Sequence, residues 1–225
     1  MSRRPPSSGI VQLGQGVYTV PETCRILRPS MTSRKVHYWL DTDLLGNPLR
    51  KGARGVPTLL SFEQVLKVRT LQHLRDELRF SLQKVRGSLA WVLQELTREE
   101  WHQLEFFRGV GGSVGIVTNT GETVTLPGAQ TVLTGTLNEL SSFMEAVREQ
   151  WTTRKLSIEG LPSLVSDAAV LAGAPVIDGT RVETAFVANL ALELNRSEIH
   201  ALFPNVPEGA IEQAAEFEGV MLHAA

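Results

Sequence analysis

The 225 residues carry 22 Lys and Arg against 24 Asp and Glu, a formal net charge of −2, and 42% of them are hydrophobic. That length suits one large domain or two to three small ones; no apolar run approaches a bilayer span, and the start, MSRRPPSSG, has no apolar signal core. The single cysteine, Cys24, excludes an internal disulfide, so the expectation is a soluble cytoplasmic protein without a membrane partner. The charge is uneven along the chain. Residues 1–104 hold 16 basic and 9 acidic side chains, whereas residues 105–225 hold 6 basic and 15 acidic. A basic half of this size is an electrostatic footprint for nucleic acid, although acidic proteins and membranes also attract basic segments.

Residues 1–16, rich in Pro, Ser and Arg at their start, read as a disordered arm. In GVYTVPETCRIL, Thr19 is placed to cap a helix, with Pro21 and Glu22 in its first turn. Val20, Cys24 and Leu27 are expected on its inner face, Cys24 as a small core residue. Arg28-Pro29-Ser30 ends that helix, since proline disfavours helix in the residue before it. Thr32 then caps a second helix from Ser33 to about Thr42, with Val36, Trp39 and Leu40 facing inward and Arg34, Lys35 and Tyr38 around the other sides. Two short helices joined by a tight turn, with cations at the start of the second, outline a helix-turn-helix. The next stretch, GNPLRKGARGVPT, places Arg50, Lys51 and Arg54 in a turn-rich hairpin or wing. Two amphipathic helices follow. The first carries Phe62, Val65, Leu66, Leu71, Leu74 and Leu78 inward; the second, capped by Ser81, carries Leu82, Val85, Leu89, Val92, Leu93 and Leu96.

The order YTVPETCRIL, turn, TSRKVHYWLDTDLL, wing, then FEQVLKVRTL and SLQKVRGSL resembles the winged DNA-binding domain of the MerR superfamily over roughly residues 17–96. That family's second-helix pattern, R-T-L-R-Y-Y-E-x-x-G-L-L, corresponds here to Arg34-Lys35-Val36-His37-Tyr38-Trp39, ending in Leu44-Leu45. His37 stands where an arginine is usual and Asp43 where a glycine is usual; there is no terminal cysteine set for an inducer metal. The resemblance implies a domain over residues 17–98 that meets double-stranded DNA through Thr19, Thr32, Ser33, Arg34, Lys35, His37, Tyr38, Arg50, Lys51 and Arg54. Arg34 and Lys35 are the base-edge and phosphate candidates. Tyr38 either sets its hydroxyl on a phosphate or sits half-buried in the core, and His37 either touches phosphate or lies exposed.

Residues 99–155 change in texture. Val114 to Thr118 and Glu122 to Leu126 flank Asn119-Thr120-Gly121 as a β-hairpin, and NELSSFMEAVREQW reads as a helix. The segment GGSVG lacks the lysine and spacing of a phosphate loop. In the last third, Gly173-Ala174-Pro175-Val176-Ile177-Asp178-Gly179-Thr180-Arg181 is followed by three helical segments, Glu183–Leu194, Ser197–Phe203 and Glu208 to about Val220. This third resembles a small bacterial antitoxin-associated domain of unknown function with the signature G-x-P-V-I-x-G-T-R, over about Ser163–Phe217. That family's glycine before the serine is absent here, where Leu194-Asn195-Arg196 stand.

Together the two resemblances are similar to a VapB-type antitoxin of a type II toxin-antitoxin system. They imply a mainly α protein with small β elements (α+β), a C-terminal three-helix homeodomain-like region over 156–225, a homodimer on its own promoter, and a PIN-like ribonuclease toxin as partner. Arg181 either enters the toxin's carboxylate cluster or ties down its own turn. The alternative is a toxin-independent dimeric regulator whose C-terminal region serves dimerisation or a second DNA contact. An enzyme is not expected, nor a cofactor or metal. His37, His73, His102, His200 and His223 are scattered, and Glu99-Glu100 and Glu216/Glu218 have no convergent partner.

Overall fold

The computed structural model describes residues 16–95, 101, 104–109, 112–117, 123–126, 130–131, 146–147, 149–150 and 152–222. The arm over 1–15, the hairpin tip Asn119-Thr120-Gly121, Glu99-Glu100, His102, His223 and most of the NELSSFMEAVREQW segment lie outside them. The chain is α+β, as expected, and forms two units. The first runs over Met1–Leu40, Gly46–Phe62 and Arg154–Ala225, the second over Asp41–Leu45 and Glu63–Thr153. The division at Thr153/Arg154 falls beside the boundary expected at 155, but none falls at 98: the two N-terminal helices and the wing share a unit with the C-terminal third.

In the first unit, β1 (Val17–Thr19) pairs antiparallel with β2 (Leu59–Ser61), Tyr18 opposite Leu60. Helix α1 (Val20–Ile26) starts on a capping box. The Glu22 amide donates to Thr19 Oγ1, and the Thr19 amide donates to Glu22 Oε2 at 2.7 Å, so two otherwise orphaned donors are satisfied. Val20, Thr23 and Ile26 are the buried face of α1. Cys24 is only half-buried, its thiol 3.8 Å from Ser33 Oγ and its pKa pushed up by burial, so it is not the core residue the spacing suggested. Helix α2 (Ser33–Asp41) buries Val36 and Trp39, and the Lys35 amide donates to Thr32 Oγ1. The wing is a hairpin: Arg50 bridges Leu59, Ala53 bridges Val56, and Gly55 takes the positive φ at its tip.

Beyond the three helices expected in the last third, the same unit holds a three-stranded antiparallel sheet, β7 (Lys155–Ser157), β8 (Leu164–Asp167) and β9 (Pro175–Ile177), with β8 central. Three helices follow, α5 (Thr184–Leu190), α6 (Arg196–Leu202) and α7 (Glu208–Glu218). The short apolar runs of β8 and β9 are buried on Leu164, Val165, Val176 and Ile177, the pattern of a covered strand that periodicity alone does not separate from a helix segment. Asn195 supplies what the missing glycine left open. Its side chain accepts from the Glu198 amide while the Glu198 carboxylate accepts from the Asn195 amide at 2.8 Å. Helix α7 ends on Gly219, whose φ of 73° suits a left-handed C-cap.

The second unit holds α3 (Phe62–Gln72, all but its first residue), a π-helical turn (His73–Glu77), α4 (Leu82–Glu95) and an antiparallel sheet β3–β6 (Glu105–Arg108, Val114–Val117, Thr123–Leu126, Gln130–Thr131). The expected hairpin is the β4–β5 pair. Val85, Ser88, Leu89 and Val92 form the buried stripe of α4, and Leu93, expected inward, lies one position past it and is exposed. Gly115 is fixed by packing, since a Cβ there would fall 2.1 Å from the Phe107 ring on the neighbouring strand.

Candidate nucleic-acid interface

Each residue expected to meet DNA belongs to the first unit. On α2, Arg34, His37 and Tyr38 stand at i, i+3 and i+4, on the side of the helix away from the buried Val36 and Trp39. Tyr38 is 47% exposed, which decides between its two expected settings: it is not a core tyrosine. Asp41 continues the same face one turn later, so positive charge belongs to the N-terminal part of α2 alone. Thr32 and Ser33 are exposed just ahead of it. Lys35 is half-buried and donates from Nζ to the Ser30 carbonyl at 3.1 Å, so its charge is held close to the inter-helix turn.

On the hairpin, Arg50, Lys51 and Arg54 are all exposed. Arg50 reaches back to the Pro57 carbonyl at 3.5 Å. Arg34, His37, Lys51 and Arg54 make no hydrogen bond or ion pair among the described residues. Thr19 is different. Its hydroxyl is 2.7 Å from Glu22 Oε2 and its backbone is in the capping box, which accounts for the residue without any ligand.

The scaffold behind α1 is the feature that spacing in the sequence did not reveal. Arg25 Nη2 is 2.7 Å from Glu218 Oε2 and 3.1 Å from the Phe217 carbonyl, and its guanidinium lies 4.3 Å above the Phe217 ring. Arg28 pairs with Glu216 at 3.3 Å. Glu218 also accepts from the buried Thr184 hydroxyl at 2.6 Å, so one carboxylate joins α1, α5 and α7. Two of the cations counted toward a basic N-terminal half are thereby neutralised internally.

A second tie starts at β1. Tyr18 is fully buried. Ser166 Oγ lies 3.1 Å from its hydroxyl and 2.7 Å from the Gly173 carbonyl. Serine has one hydroxyl proton, so Ser166 donates to Gly173 and Tyr18 donates to Ser166. Burial pushes the Tyr18 pKa up to about 12.

Arg181 is exposed and makes no hydrogen bond or ion pair among the described residues. Its expected role of tying down its own turn belongs instead to its neighbours. Thr180 Oγ1 donates to the Ile177 carbonyl at 2.8 Å and accepts from the Val182 amide, while Asp178 Oδ1 accepts from the Gly179 amide and from Lys155. The guanidinium borders an open cleft of about 320 Å³ with Lys155, Asp167 and Asp178. Among the described residues no group of three or more His, Cys, Asp and Glu could hold a metal ion, and no helix is long and apolar enough to cross a membrane.

A family model described as a protein of unknown function (DUF433) matches residues 164–217, the segment from β8 to Phe217. No curated protein matches the chain. Among solved structures, the chain is similar to Rv2018 from Mycobacterium tuberculosis, at 17% sequence identity and a TM-score of 0.55, over 88% of this chain and 96% of that one. At that identity the likeness is one of fold.

Proposed function

We propose that this chain is a DNA-binding antitoxin, not an enzyme. It binds its own promoter as a homodimer through α2 and the hairpin, and it neutralises a cognate PIN-like ribonuclease through its C-terminal third. The observation that carries the DNA half is the set Arg34, His37, Lys51 and Arg54, exposed on two neighbouring elements of one unit and without internal partners among the described residues. An α-helix fits the major groove, and helix-turn-helix proteins contact bases with the N-terminal part of the second helix. That is the end of α2 that carries Arg34, while Asp41 makes the far end unfavourable to phosphate. Phosphate contacts from Lys51 and Arg54 supply affinity without sequence preference, and Arg34 is the side chain for base readout. The antitoxin half rests on the G-x-P-V-I-x-G-T-R resemblance, which lies in the segment that the DUF433 model, itself of unknown function, matches.

A toxin-independent regulator has one observation in its favour. Through Arg25 and Arg28 the C-terminal third braces α1 and the turn after it, and through Tyr18 it braces β1, a role it would play without any toxin. The two readings separate in one experiment. The purified protein is titrated against a duplex from its own upstream region and a scrambled duplex, and it is co-expressed with the product of the adjoining reading frame. Selective binding with rescue from a toxic ribonuclease is the expected result; selective binding without rescue selects the regulator. Equal affinity for the two duplexes removes the DNA half.

A further inference from the structure

We propose that the outer surface of α5 and α6 is a docking site for a basic protein segment, an amphipathic helix with Lys or Arg beside its apolar stripe. The inference deepens the protein-binding half of the proposed function and rests on it, independently of the DNA half. Phe186 on α5 is 46% exposed and Leu202 at the end of α6 is 59% exposed, and Leu192 between the two helices is 58% exposed. Phe186 and Phe203 stack edge-to-face, centroids 5.7 Å apart at 89°, so an ordered aromatic pair stands partly in water and not in the core. Single exposed apolar residues are ordinary, but a stacked aromatic pair beside two exposed leucines is the composition of an interface centre.

The charge around this patch selects the occupant. Residues 183–222 contain seven glutamates and one arginine. The arginine, Arg196, is spent on Glu208 and Glu212, and Glu216 and Glu218 are spent on Arg28 and Arg25. Glu183, Glu193 and Glu198, the last also accepting from the Asn195 amide, pair with no cation among the described residues and stand next to the patch along the chain. Glu183 is three residues before Phe186, Glu193 adjoins Leu192, and Glu198 is four residues before Leu202 on the same face of α6. A DNA phosphate backbone or an anionic membrane is repelled by this rim. A second copy would bring the same carboxylates face to face across a two-fold contact, where like charges are costly. A helix carrying apolar anchors and flanking cations satisfies both the patch and its rim.

The test uses the full chain and two labelled synthetic helices that share one leucine stripe, one flanked by lysines and the other by glutamates, followed by fluorescence anisotropy. The lysine helix is expected to bind at least about tenfold more tightly than the glutamate helix, and F186S/L202S to lose at least about tenfold of that affinity while keeping its circular dichroism. E183Q/E193Q is expected to narrow the difference between the two helices. Equal binding of both helices, or F186S/L202S binding as well as the unchanged protein, overturns the proposal; the second outcome means charge alone attracts the helix. A lower sedimenting mass for F186S/L202S also overturns it, because the patch is then covered by a second copy. If F186S/L202S still neutralises an adjoining ribonuclease in full, this surface is wrong while the antitoxin reading stands. If the helices discriminate but the unchanged protein does not rescue from an adjoining ribonuclease, the reverse holds.

Discussion

Replacing Glu218 by alanine removes the carboxylate that joins α1, α5 and α7, and its cost can be worked from the contacts. The Arg25–Glu218 pair has an exposed side, with Arg25 41% and Glu218 16% exposed, so it is worth about 1 kcal/mol, near the top of the range for solvent-screened pairs. The second loss is at Thr184, whose hydroxyl is buried and donates to Glu218 at 2.6 Å. Without that acceptor it has only the Pro175 carbonyl at 3.4 Å, which adds about 1 kcal/mol. The sum, about 2 kcal/mol, corresponds to a fall of roughly 4–8 °C in Tm for a chain of this size. Arg25→Ala keeps the Thr184 bond and loses the ion pair, the Phe217 carbonyl contact and the ring contact, so it is expected to cost about 1–2 kcal/mol. Thermal unfolding of both single variants and the double variant closes a mutant cycle, with a coupling energy of about 1 kcal/mol expected. Additivity within about 0.3 kcal/mol, or a Glu218→Ala protein that melts with the parent, would refute the brace between α1 and the C-terminal third.

Further outcomes follow from the Tyr18 site and from the helix caps. In a Tyr38→Phe background Tyr18 is the one remaining tyrosine, and its absorbance titration should have a midpoint at about pH 12. Because the folded pKa is raised above the ordinary 10.0, the stability linked to this proton is complete below about pH 10 and is lost as pH rises toward 12. A midpoint near 10 in the folded protein would contradict the buried setting. Gly173→Ala should destabilise strongly, by more than about 2 kcal/mol in chemical denaturation, because its φ is +94° and the new Cβ would lie 2.6 Å from the Tyr18 hydroxyl. Gly179→Ala, with φ +74° and open space around it, should cost only about 1 kcal/mol; equal losses would show that the Tyr18 contact does not matter. Asn195→Ala removes a capping box and should lower stability by about 1 kcal/mol, read by the same denaturation.

Local chemistry was legible and long-range chemistry was not. Thr19, Pro21 and Glu22 announce the start of α1 because a capping box is written within four residues, and the exposed face of α2 follows from helical spacing. Asn195 and Glu198 form the same kind of box, written in Asn195-Arg196-Ser197-Glu198, and it starts the helix one residue ahead of the expected Ser197. Neither β8 nor β9 is legible as a strand, because their four apolar residues, buried on both sides, show no alternation. Leu93 and Cys24 were assigned inward by spacing that was off by one helical position. The brace itself was invisible, since no pattern links Arg25 to Glu218 across 193 residues. It also changes the meaning of the charge count, because Arg25 and Arg28 were tallied with a nucleic-acid footprint and are paired with carboxylates of α7. Arg181 teaches the converse: a motif arginine beside a turn need not hold that turn, and here Thr180 and Asp178 do so.

If α2 and the hairpin bind DNA through the exposed Arg34, Lys51 and Arg54, that binding depends on salt in proportion to the phosphates they neutralise. Affinity for the upstream duplex is measured over a series of salt concentrations for the unchanged protein and for R34A/K51A/R54A. Each phosphate contact contributes about 0.9 to the slope of log affinity against log salt, so loss of Lys51 and Arg54 from both protomers of the homodimer should flatten the slope by about 3–4, and loss of Arg34 with them should weaken binding at every concentration. That change is expected together with lost preference over a scrambled duplex. An unchanged slope with unchanged affinity would contradict it and move any DNA contact off this face.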